Sequence, residues 1–561
     1  MKNPRSRDRW AWLMGGGLAV GLAACAPAGS PTPAAAPAPP GAAAGQTAPA
    51  AFIGPRDGGI LRDTPWSPPT SFDYCKHADA FGVVAWVPIY EGLLSYNYKE
   101  GEDFRQDRPL VPFLAESWQQ VDETTYTFSL RPNVKWHDGQ PLTVDDVIFS
   151  LNYLRDPENA CFKRGLLQGV KSIDKVDATK VRITTDMPFA PFLENMAERE
   201  AVIYPKHIFD AGKLFKAADG QIGSGPMKLK SFDRNSRIVY TANKDYWRGK
   251  PHVDGLIGTY GTDRQLRFAA FVGKETDILT MSDSKEFGAA MAAVPDAKGE
   301  GFPTTHGYAM YIRQDKTPLD DVRVRRAIHL ALDRQTMEAT LAQGSGRINP
   351  PGVSAVNAWA MPQDELLKLP GYRQPKDQDL AEARRLLREA GHPDGFTSSI
   401  QAVAQWTNPR IAEVAAQQLQ KVGIDLKLDF IDQGVYFSNQ RQGKFDIGLN
   451  GMSADTIDGS LYQYYYSKAG PNPGAIADPD LDRMIEAQRA ALQKETRYRI
   501  LRQIQQYLMD KMYVVPTVEL GFQWAWHPYL HQIVNSRSTG VMLFRAGDLW
   551  LDERAPQRTL P

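Results

Sequence analysis

Apolar and polar residues alternate in some stretches of the chain and recur with helical spacing in others. Residues 126–130 alternate aromatic or aliphatic side chains with hydroxyl groups, which predicts a half-buried strand. A turn is predicted at 137–139, where Asp and Gly occur together. Thr143 and Asp146 then have the spacing of a helix cap, and the apolar residues of 147–154 predict the helix that follows.

The clearest pattern is a strand, a helix and a second strand. The segment 397–404 is predicted to be a strand, and Asn408 followed by Pro409 is typical of a helix start. The helix is predicted to end at Gly423, after which apolar and charged residues alternate over 424–430 as the second strand. Because a helix connects the two strands, they are predicted to be parallel neighbours.

A further helix is predicted immediately before this unit. Asp379 and Glu382 have the spacing of a capping box, which predicts that the helix begins there. Its apolar side chains fall on one face, at Ala383 and at 386–387. Gly391 is expected to end the helix, because glycine adopts the left-handed conformation of that position without strain.

Candidate ligand contacts follow two of the predicted strands. Trp406 and Asn408 come after the strand 397–404, and a later strand over 445–451 leads into Met452 and Asp455. Ligands of open α/β sheets bind beyond the carboxyl ends of the strands, so we expect these side chains to meet at one edge. The alternative, that Trp406 packs in a core and Asp455 lies in a turn, stays open on these residues alone.

The first residues predict export from the cytoplasm. Residues 1–9 carry four basic side chains against one acid, and the apolar run Trp10–Ala24 is too short to span a membrane. The run ends in Leu22-Ala23-Ala24-Cys25, which resembles a bacterial lipobox. We therefore expect cleavage before Cys25 and lipidation of Cys25. The alternative is a plain signal peptide cleaved after Ala24.

A tether is predicted between this signal and the folded body. Residues 26–50 consist almost entirely of Ala, Pro, Gly, Ser and Thr, so they have too little apolar surface to offset the entropy cost of ordering. They are predicted to hold a folded body away from a membrane, although a leader without function is the alternative. Removal of residues 1–24 leaves 61 basic and 64 acidic side chains, a net charge of −3.

The overall composition is that of a large soluble protein. A chain of 561 residues is long enough for several domains of roughly 100–200 residues. The whole chain has 65 basic and 65 acidic side chains, which argues against a nucleic-acid-binding protein. Its three cysteines exclude a disulfide-rich scaffold. Cys75 and Cys161 remain after processing, and their spacing leaves open whether they pair or stay separate thiols.

A series of different short motifs occurs along almost the whole mature chain, between residues 58 and 520. They include Leu114–Trp118 (LAESW), Tyr126–Arg131 (YTFSLR), Val134–Gly139 (VKWHDG), Leu142–Val147 (LTVDDV), Gly223–Pro226 (GSGP), Asn243–Trp247 (NKDYW), Val322–Ile328 (VRVRRAI) and Ala390–Gly391. No single motif is decisive. Their order and spacing together resemble the family 5 extracellular solute-binding proteins of ABC transporters, the oligopeptide, dipeptide and nickel group.

The resemblance implies an α/β, two-lobed periplasmic-binding-protein fold with an extra subdomain in the first lobe. The implied division is a signal peptide at 1–24, a tether at 25–50, lobe 1 at 51–97, 205–310 and 515–561, its subdomain at 98–204, and lobe 2 at 311–514. The expected partners are a peptide or other small solute and an ABC permease in the inner membrane, with no cofactor, no metal and no nucleic acid. We expect a monomer, lipid-anchored in the periplasm or on the outer face of the cell membrane.

The resemblance also implies binding residues. Peptide-binding members have Trp-x-x-Asp at the position of 452–455, and their Asp pairs with the ammonium group of the ligand. Asp455 matches, whereas Met452 replaces the Trp, and a flexible Met alters the ligand shape to be expected. Glu91 belongs to a Glu-Gly-Leu segment that can line the cleft in this family, the alternative being an exposed Glu in a turn. Tyr462, in a run of tyrosines, either lines the cleft or packs within one lobe.

No signature of a catalytic site occurs in the chain. It lacks His-Glu-x-x-His, Gly-x-Ser-x-Gly, a Walker A motif and Cys-x-x-Cys. We expect a solute-binding lipoprotein, not an enzyme, that captures a peptide or related solute and delivers it to an ABC importer by hinge closure. A sensory binding lipoprotein and a hydrolase without a recognisable motif stay open as alternatives. The solute is also open, because peptide, opine, sugar, nickel-chelate and glutathione binders share this scaffold.

Overall fold

The computed structural model describes most of the chain after the predicted tether. The described residues are 54–64, 68–69, 71, 73–76, 85–97, 109–161, 163–261, 263–281, 284–302, 306–404, 408–453, 456–469, 472–533 and 545–561. They belong to one compact unit, Gly54–Pro561. The predicted signal peptide, the tether and Cys25 lie outside the described residues.

A six-stranded sheet forms the framework of what we call the second lobe. Its strand order is β14-β18-β13-β17-β15-β16. In chain order, the strands are β13 (His306–Ile312), β14 (Arg347–Ile348), β15 (Phe396–Val403), β16 (Ile424–Ile431), β17 (Ile447–Ser453) and β18 (Val514–Glu519).

The remaining sheets form what we call the first lobe. A four-stranded sheet has the order β1-β10-β9-β8, a three-stranded sheet the order β11-β19-β12, and two ribbons pair β2 with β3 and β20 with β21. Their bounds are β1 (Ile60–Asp63), β2 (Leu94–Tyr96), β3 (Leu110–Pro112), β8 (Met227–Asp233), β9 (Arg237–Ala242), β10 (Gly255–Thr259), β11 (Ile278–Met281), β12 (Lys298–Phe302), β19 (Phe522–Trp526), β20 (Leu530–His531) and β21 (Trp550–Leu551).

A second four-stranded sheet, with its helices, forms what we call the subdomain of the first lobe. Its order is β4-β5-β7-β6, and all its pairs are antiparallel. Its strands are β4 (Ala115–Gln120), β5 (Thr125–Leu130), β6 (Val170–Lys175) and β7 (Lys180–Thr185). The predicted strand at 126–130 is confirmed as β5.

The α-helices lie mostly between the strands of the second lobe. Their bounds are α1 (Val144–Arg155), α2 (Phe192–Met196), α3 (Lys206–Asp210), α4 (Arg264–Val272), α5 (Ser284–Ala293), α6 (Val322–Ala331), α7 (Arg334–Leu341), α8 (Gln363–Leu366), α9 (Asp377–Glu389), α10 (Asn408–Gln420), α11 (Gln433–Gln442), α12 (Ile457–Tyr465), α13 (Pro479–Ala490) and α14 (Lys494–Lys511). Short 3₁₀ helices occupy Tyr74–Lys76, Pro157–Asn159, Arg164–Leu167 and Ala218–Gly220. The cap predicted at Thr143 and Asp146 is confirmed, since Thr143 and Asp146 form a capping box at the start of α1.

The predicted strand–helix–strand unit is confirmed as β15, α10 and β16. β15 and β16 pair in parallel along their full length, from Phe396 opposite Ile424 to Val403 opposite Ile431. β17 pairs with the other side of β15, also in parallel. The carboxyl ends of the three strands therefore lie at one edge of the sheet.

One detail of the preceding helix differs from the prediction. The helix α9 begins at Asp377, and its N-cap position is Lys376, so Asp379 and Glu382 do not form a capping box. Instead the Asp379 carboxylate is fully buried and accepts from Gly371 N at 2.8 Å and from Lys376 Nζ at 2.8 Å. Gly371 N and Lys376 Nζ therefore supply the hydrogen bonds that a capping box would have taken from the start of the helix. The predicted stop at Gly391 is confirmed by its φ of 90°.

The two lobes are joined by two pairs of consecutive strands. Residues 298–312 run from β12 in the first lobe to β13 in the second, and 514–526 run from β18 in the second lobe to β19 in the first. β13 pairs with β18 on one side of this crossing, and β12 pairs with β19 on the other. The crossing therefore has two strands, which are hydrogen-bonded to each other on either side of it.

Buried side chains follow the division into two lobes. One core cluster runs through the first lobe and its subdomain, from Leu61 to Leu551, and another lies in the second lobe, from Met310 to Leu520. A further cluster, which includes Ala309 and Leu461, packs α12–α14 against the opposite face of the six-stranded sheet. Because the subdomain shares its core with the first lobe, we expect the two to move together. The domain limits given from the sequence stay predictions.

A disulfide joins Cys75 to Cys161, with the two Cα atoms 4.9 Å apart. This decides between the two alternatives that the spacing left open. The bond links the first lobe to the segment just before the 3₁₀ helix Arg164–Leu167. Within the described residues, no helix has the length and apolar character needed to cross a membrane. The mixture of parallel and antiparallel sheets with helices confirms the predicted α/β class.

Candidate functional site

The candidate site lies where the carboxyl edge of the six-stranded sheet faces the first lobe. β13 runs antiparallel to both β17 and β18, so these two strands point the same way. The strands β15, β16, β17 and β18 consequently all end at this edge. The helix α12 begins four residues after β17 and contacts the 3₁₀ helix Arg164–Leu167 of the subdomain. The sheet edge is thus at the boundary between the lobes, where ligands of such folds bind.

Two of the predicted ligand contacts lie at this edge, and both are largely buried. Met452, near the end of β17, is 8% exposed and packs in the cluster with Leu461. Asn408 is fully buried, and its Nδ2 donates to the Leu449 carbonyl of β17 at 3.0 Å. Its Oδ1 is buried without a partner among the described residues, so the side chain ties α10 to β17 and does not cap the helix. Trp406 and Asp455 lie outside the described residues.

Tyr462 lies at the contact between the two lobes. Its hydroxyl donates to Gln168 Oε1 of the subdomain at 3.0 Å. Its ring lies against the backbone of the subdomain at Gly165, where an added Cβ would lie 3.0 Å from two ring carbons. The absence of a side chain at Gly165 is therefore what permits this approach. Tyr462 thus packs against the core of its own lobe and also contacts the other lobe, while its place in the solute cleft stays a prediction.

An arginine buried beside Tyr462 completes this contact, which we call the seam. Arg489 of α13 binds both carboxylate oxygens of Asp458 of α12, at 2.7 and 2.9 Å. Its guanidinium lies 4.3 Å from the centre of the Tyr462 ring and 5.4 Å from that of Phe189 in the subdomain. Such cation–π contacts are stronger when water is excluded. The ion pair thus belongs to the second lobe but presents its cation to an aromatic ring of the first.

Two further polar contacts cross the seam. Ala190 N of the subdomain donates to the Arg489 carbonyl at 2.7 Å. Arg497 of α14 lies 3.5 Å from Glu194 of α2. Side-chain, ring and backbone contacts therefore join the helices α12–α14 of the second lobe to the subdomain of the first.

A second candidate feature is a buried carboxylate in the first lobe. Glu91 is 4% exposed and accepts three hydrogen bonds, from Ser224 Oγ at 2.8 Å, Tyr246 OH at 2.7 Å and Trp247 Nε1 at 3.0 Å. Burial raises the pKa of Glu91 to about 7, although the three donors favour the charged form. The alternative of an exposed Glu in a turn is therefore wrong.

Glu91 also lines a cleft between the first lobe and its subdomain. Its cavity volume is about 40 Å³. Its walls combine aromatic rings with both signs of charge, from Tyr74, Tyr90, Glu91, Tyr246, Arg199 and Arg248. Residues 197–199, at one wall, follow α2, whose Glu194 reaches the seam. One short helix therefore connects this cleft to the lobe contact.

Several residues of the site were not predicted from the sequence. Asp458 and Arg489 are 31 residues apart on different helices, so no local pattern connects them. The partners of Glu91 occur in two of the motifs that carry the family resemblance, GSGP and NKDYW, and those motifs were an available signal. Their common contact with one carboxylate gives a physical reason for the three segments to occur together.

Comparisons with known proteins agree with this architecture. The model of the family described as "Bacterial extracellular solute-binding proteins, family 5 Middle" matches residues 109–474, which is 366 of the 561 residues. The dipeptide-binding protein of Escherichia coli K12 is 28% identical over 458 residues, covering 76% of this chain and 82% of that protein. Heme-binding protein A of Haemophilus influenzae is 28% identical over 426 residues, covering 69% and 75%.

A solved structure shows the same two-lobed fold. It is that of an ABC-transporter-associated periplasmic binding protein of Helicobacter pylori in complex with the peptide STSA. The TM-score is 0.77 at 22% sequence identity, and the match covers 89% of this chain and 99% of that one. The predicted periplasmic-binding-protein fold is confirmed.

The Glu91 cluster gives a prediction on stability. Substitution Glu91→Ala should lower the free energy of unfolding by about 3 kcal/mol, because it leaves buried donors without an acceptor. The indole Nε1–H of Trp247 can only donate, so it stays unsatisfied when the carboxylate is removed. Unfolding in urea followed by tryptophan fluorescence measures the change. The exposed Glu123→Ala is the matched control and should stay within about 0.5 kcal/mol of wild type.

The pH dependence of the same position follows from the direction of the pKa shift. A carboxyl group whose pKa is higher in the folded than in the unfolded chain loses its stabilising contribution as pH rises between the two values. Wild type should therefore lose stability relative to Glu91→Gln as the pH rises from 4.5 to about 7. An equal response of both proteins to pH, or an Ala variant as stable as wild type, would contradict the role given to this cluster.

Proposed function

We propose that this chain, which belongs to the bacterial extracellular solute-binding proteins of family 5, captures a peptide or related small solute and delivers it to an ABC importer. The observation that carries the proposal is the arrangement of the two lobes. A two-stranded crossing joins them, and the carboxyl edge of the second lobe faces the first across the seam. A solute held at this edge would contact both lobes.

Capture is a conformational and not a chemical step. The lobes open and close about the crossing strands, and a solute that contacts both of them shifts the population toward the closed form. The arrangement described here, with Tyr462 on Gln168 and Arg489 on Phe189, is the closed one. Opening on a membrane permease would break these contacts and release the solute.

The proposed solute class is peptidic. The dipeptide-binding protein of Escherichia coli is similar to this chain over most of its length. The family resemblance, in addition, implies that Asp455 pairs with an ammonium group of the solute. Met452, Trp406, Asn408 and Tyr462 are the further second-lobe residues that we propose contact the solute. Met452 stands where peptide-binding members have Trp, so this surface is more adaptable in shape. Glu91 and its cleft support a contribution from the first lobe.

Outside the folded body, the sequence supports an anchored protein. Lipid on Cys25 holds the mature chain at the membrane, the segment 26–50 spaces the lobes from it, and the protein works as a monomer in the periplasm or on the outer face of the cell membrane. It has neither catalytic activity nor a cofactor. Its membrane contact is through the lipid and the permease.

The first prediction concerns closure. Gly165→Leu should block it, because a side chain there collides with the Tyr462 ring only when the lobes meet. With saturating solute, identified by mass spectrometry of what the purified protein releases, small-angle scattering should show wild type contract and the variant stay extended. Affinity should fall at least about tenfold, since the closed state becomes unfavourable.

Gly288→Leu is the matched control for the closure test. Gly288 lies in α5, and apart from its own helix no atom of the described residues lies within 4 Å of the position its Cβ would take. This variant should contract with solute as wild type does. Contraction of Gly165→Leu to the wild-type radius would contradict the assignment of this contact to the closed form.

The second prediction concerns the solute ammonium group. Asp455→Asn keeps the shape of the side chain and removes its charge, which leaves the solute ammonium buried without a counter-ion. Loss of one partner from such a pair costs about 3–5 kcal/mol, or about a hundredfold to a few thousandfold in affinity. Calorimetry with the released solute measures it. The exposed Asp425→Asn on β16 is the control, and a change under about threefold for Asp455→Asn would identify Asp455 as a turn residue.

The third prediction concerns the anchor. Cys25→Ser removes the thiol that the lipid modifies, so the variant should move from the membrane fraction to the soluble extract after fractionation of expressing cells. Ala28→Ser, in the tether, should stay with the membranes. A Cys25→Ser protein that still sediments with membranes would show that the anchor lies elsewhere.

A further inference from the structure

A short segment of the first lobe, residues 73–76, is hydrogen-bonded to the subdomain at two places. Asp73 is buried, and its Oδ2 accepts from the hydroxyl of Tyr153 in α1 at 2.7 Å. The hydroxyl of Tyr74 donates to the carbonyl of Arg199, in the segment that follows α2, at 2.6 Å. Neighbouring residues of the segment 73–76, which we call the clasp, therefore hold two different parts of the subdomain.

The clasp has a third, covalent link to the subdomain, which is the disulfide from Cys75 to Cys161. Both cysteines are buried, each being 4% exposed. Cys161 belongs to the loop 156–169, which runs from the end of α1 to the start of β6. A bond within a loop reduces the number of arrangements that the loop can take, so less conformational entropy is lost when the loop is ordered in a contact.

The same loop carries residues that Tyr462 of the second lobe contacts. The Tyr462 ring lies against Gly165, and its hydroxyl donates to Gln168 Oε1 at 3.0 Å. Both of these subdomain residues follow the disulfide-bonded Cys161 within the loop. The position of the loop therefore decides whether the ring and the hydroxyl group find their partners when the lobes meet.

The helix α2 belongs to the same connected group of contacts. Asn195 Nδ2 in α2 donates to the Leu166 carbonyl of the loop at 3.0 Å. The neighbouring Glu194 lies 3.5 Å from Arg497 of α14 in the second lobe. The segment that follows α2 is in turn held by Tyr74 of the clasp. The loop and the helix, which both contact the second lobe at the seam, are therefore both fastened to the clasp.

We propose that the Cys75–Cys161 disulfide positions the subdomain side of the seam and so sets how tightly the closed form retains its solute. This deepens the proposed function and rests on it. With the bond present, the loop 156–169 is ordered before the lobes meet. Without the bond, closure must also order the loop, and this entropy cost lowers the affinity for the solute. The two cysteines act through the loop and are positioning residues.

Formation and loss of the bond are two-electron steps. The bond forms when the thiols of Cys75 and Cys161 pass two electrons and two protons to an external disulfide, which becomes a dithiol. A dithiol reagent such as dithiothreitol reverses the step, because its own thiols close to a cyclic disulfide and return the electrons and protons to the two cysteines. Since both cysteines are buried, we expect the folded protein to react slowly with such reagents.

The proposal also requires that solute binding changes the reduction potential of the disulfide. If the bond favours the closed form, the closed form favours the bond by the same factor. Saturating solute should therefore lower the reduction potential by about 30 mV for each tenfold loss of affinity that removal of the bond causes. A disulfide that only stabilised the first lobe would show no such shift, because the solute would bind the folded oxidised and reduced forms equally.

The test compares the mature wild-type protein with the double variant Cys75→Ala, Cys161→Ala, which lacks the bond and has no free thiol at these positions. Calorimetry with the peptides Met-Leu and Ser-Thr-Ser-Ala measures affinity. If the contact-competent loop is populated about a tenth of the time without the bond, affinity falls about tenfold. The fall should appear mainly in the dissociation rate. Val239→Ala, buried in a separate cluster of the first lobe, is the control and should lower the melting temperature without changing affinity.

A double-mutant cycle with Tyr462→Ala identifies the route of the effect. In the Tyr462→Ala background the loop has no ring to receive, so removal of the disulfide should change affinity by less than about twofold. The reduction potential of wild type is measured in glutathione buffers with and without peptide, by alkylation of free thiols and mass spectrometry. Circular dichroism establishes that the double variant and the reduced protein are folded.

Hydrogen exchange of unmodified wild type decides the matter if the protein does not fold without the bond. The amides of Leu166 and Gln168 donate within the loop, to the Lys163 carbonyl at 3.0 Å and the Gly165 carbonyl at 3.1 Å. If the clasp orders the loop before closure, these amides are protected in the peptide-free protein. Peptide should then slow their exchange by less than about threefold.

The outcomes that overturn the inference differ from those that overturn the proposed function. Equal affinity of the folded double variant and wild type, or a reduction potential that peptide does not shift, would leave peptide capture intact and remove the positioning role. A loss of affinity that persists undiminished in the Tyr462→Ala background would also overturn it, as would loop amides that become protected only when peptide binds. Failure of both peptides to bind wild type would count against peptide capture, and against the positioning role with it.

Discussion

The structure depends on the pairing of two strands that each belong to both lobes. β13 and β18 pair in the six-stranded sheet, and their continuations β12 and β19 pair in the first lobe. Backbone hydrogen bonds on both sides of the crossing leave few ways for the lobes to move except rotation about it. The same pairing fixes the register at the cleft edge, where Gly307 lies between Met452 on one neighbouring strand and Glu519 on the other.

The seam is polar where a permanent domain interface would be apolar. A buried ion pair such as Asp458–Arg489 has a large desolvation cost, which its two short hydrogen bonds and the facing rings of Tyr462 and Phe189 offset only in part. Both partners of the pair belong to the second lobe, so opening does not break it. Opening instead separates rings, a hydroxyl group and backbone groups whose interactions are each of modest energy. This suits a protein that must close over a solute and then release it.

Buried carboxyl groups with raised pKa occur in both lobes, and they differ in their surroundings. Glu91 has three donors and serves to hold three chain segments of the first lobe together. Glu519 accepts from one donor, and its Oε1 has no partner among the described residues. The two groups therefore share burial but differ in how many of their hydrogen bonds are satisfied.

The local elements with strong periodicity could be predicted from the amino-acid sequence. The unit β15, α10 and β16, its parallel pairing and the glycine at the end of α9 were predictable because they depend on residues a few positions apart. The order of short motifs gave the family, and with it the two-lobed fold. Three contacts could be seen only in the folded chain: Asp379 binds Gly371 in place of capping a helix, Tyr462 contacts the other lobe, and Cys75 pairs with Cys161. These contacts join residues that are distant in the chain or on different elements. Such residues become neighbours only when the strands pair, so local patterns in the sequence do not reveal which of them will meet.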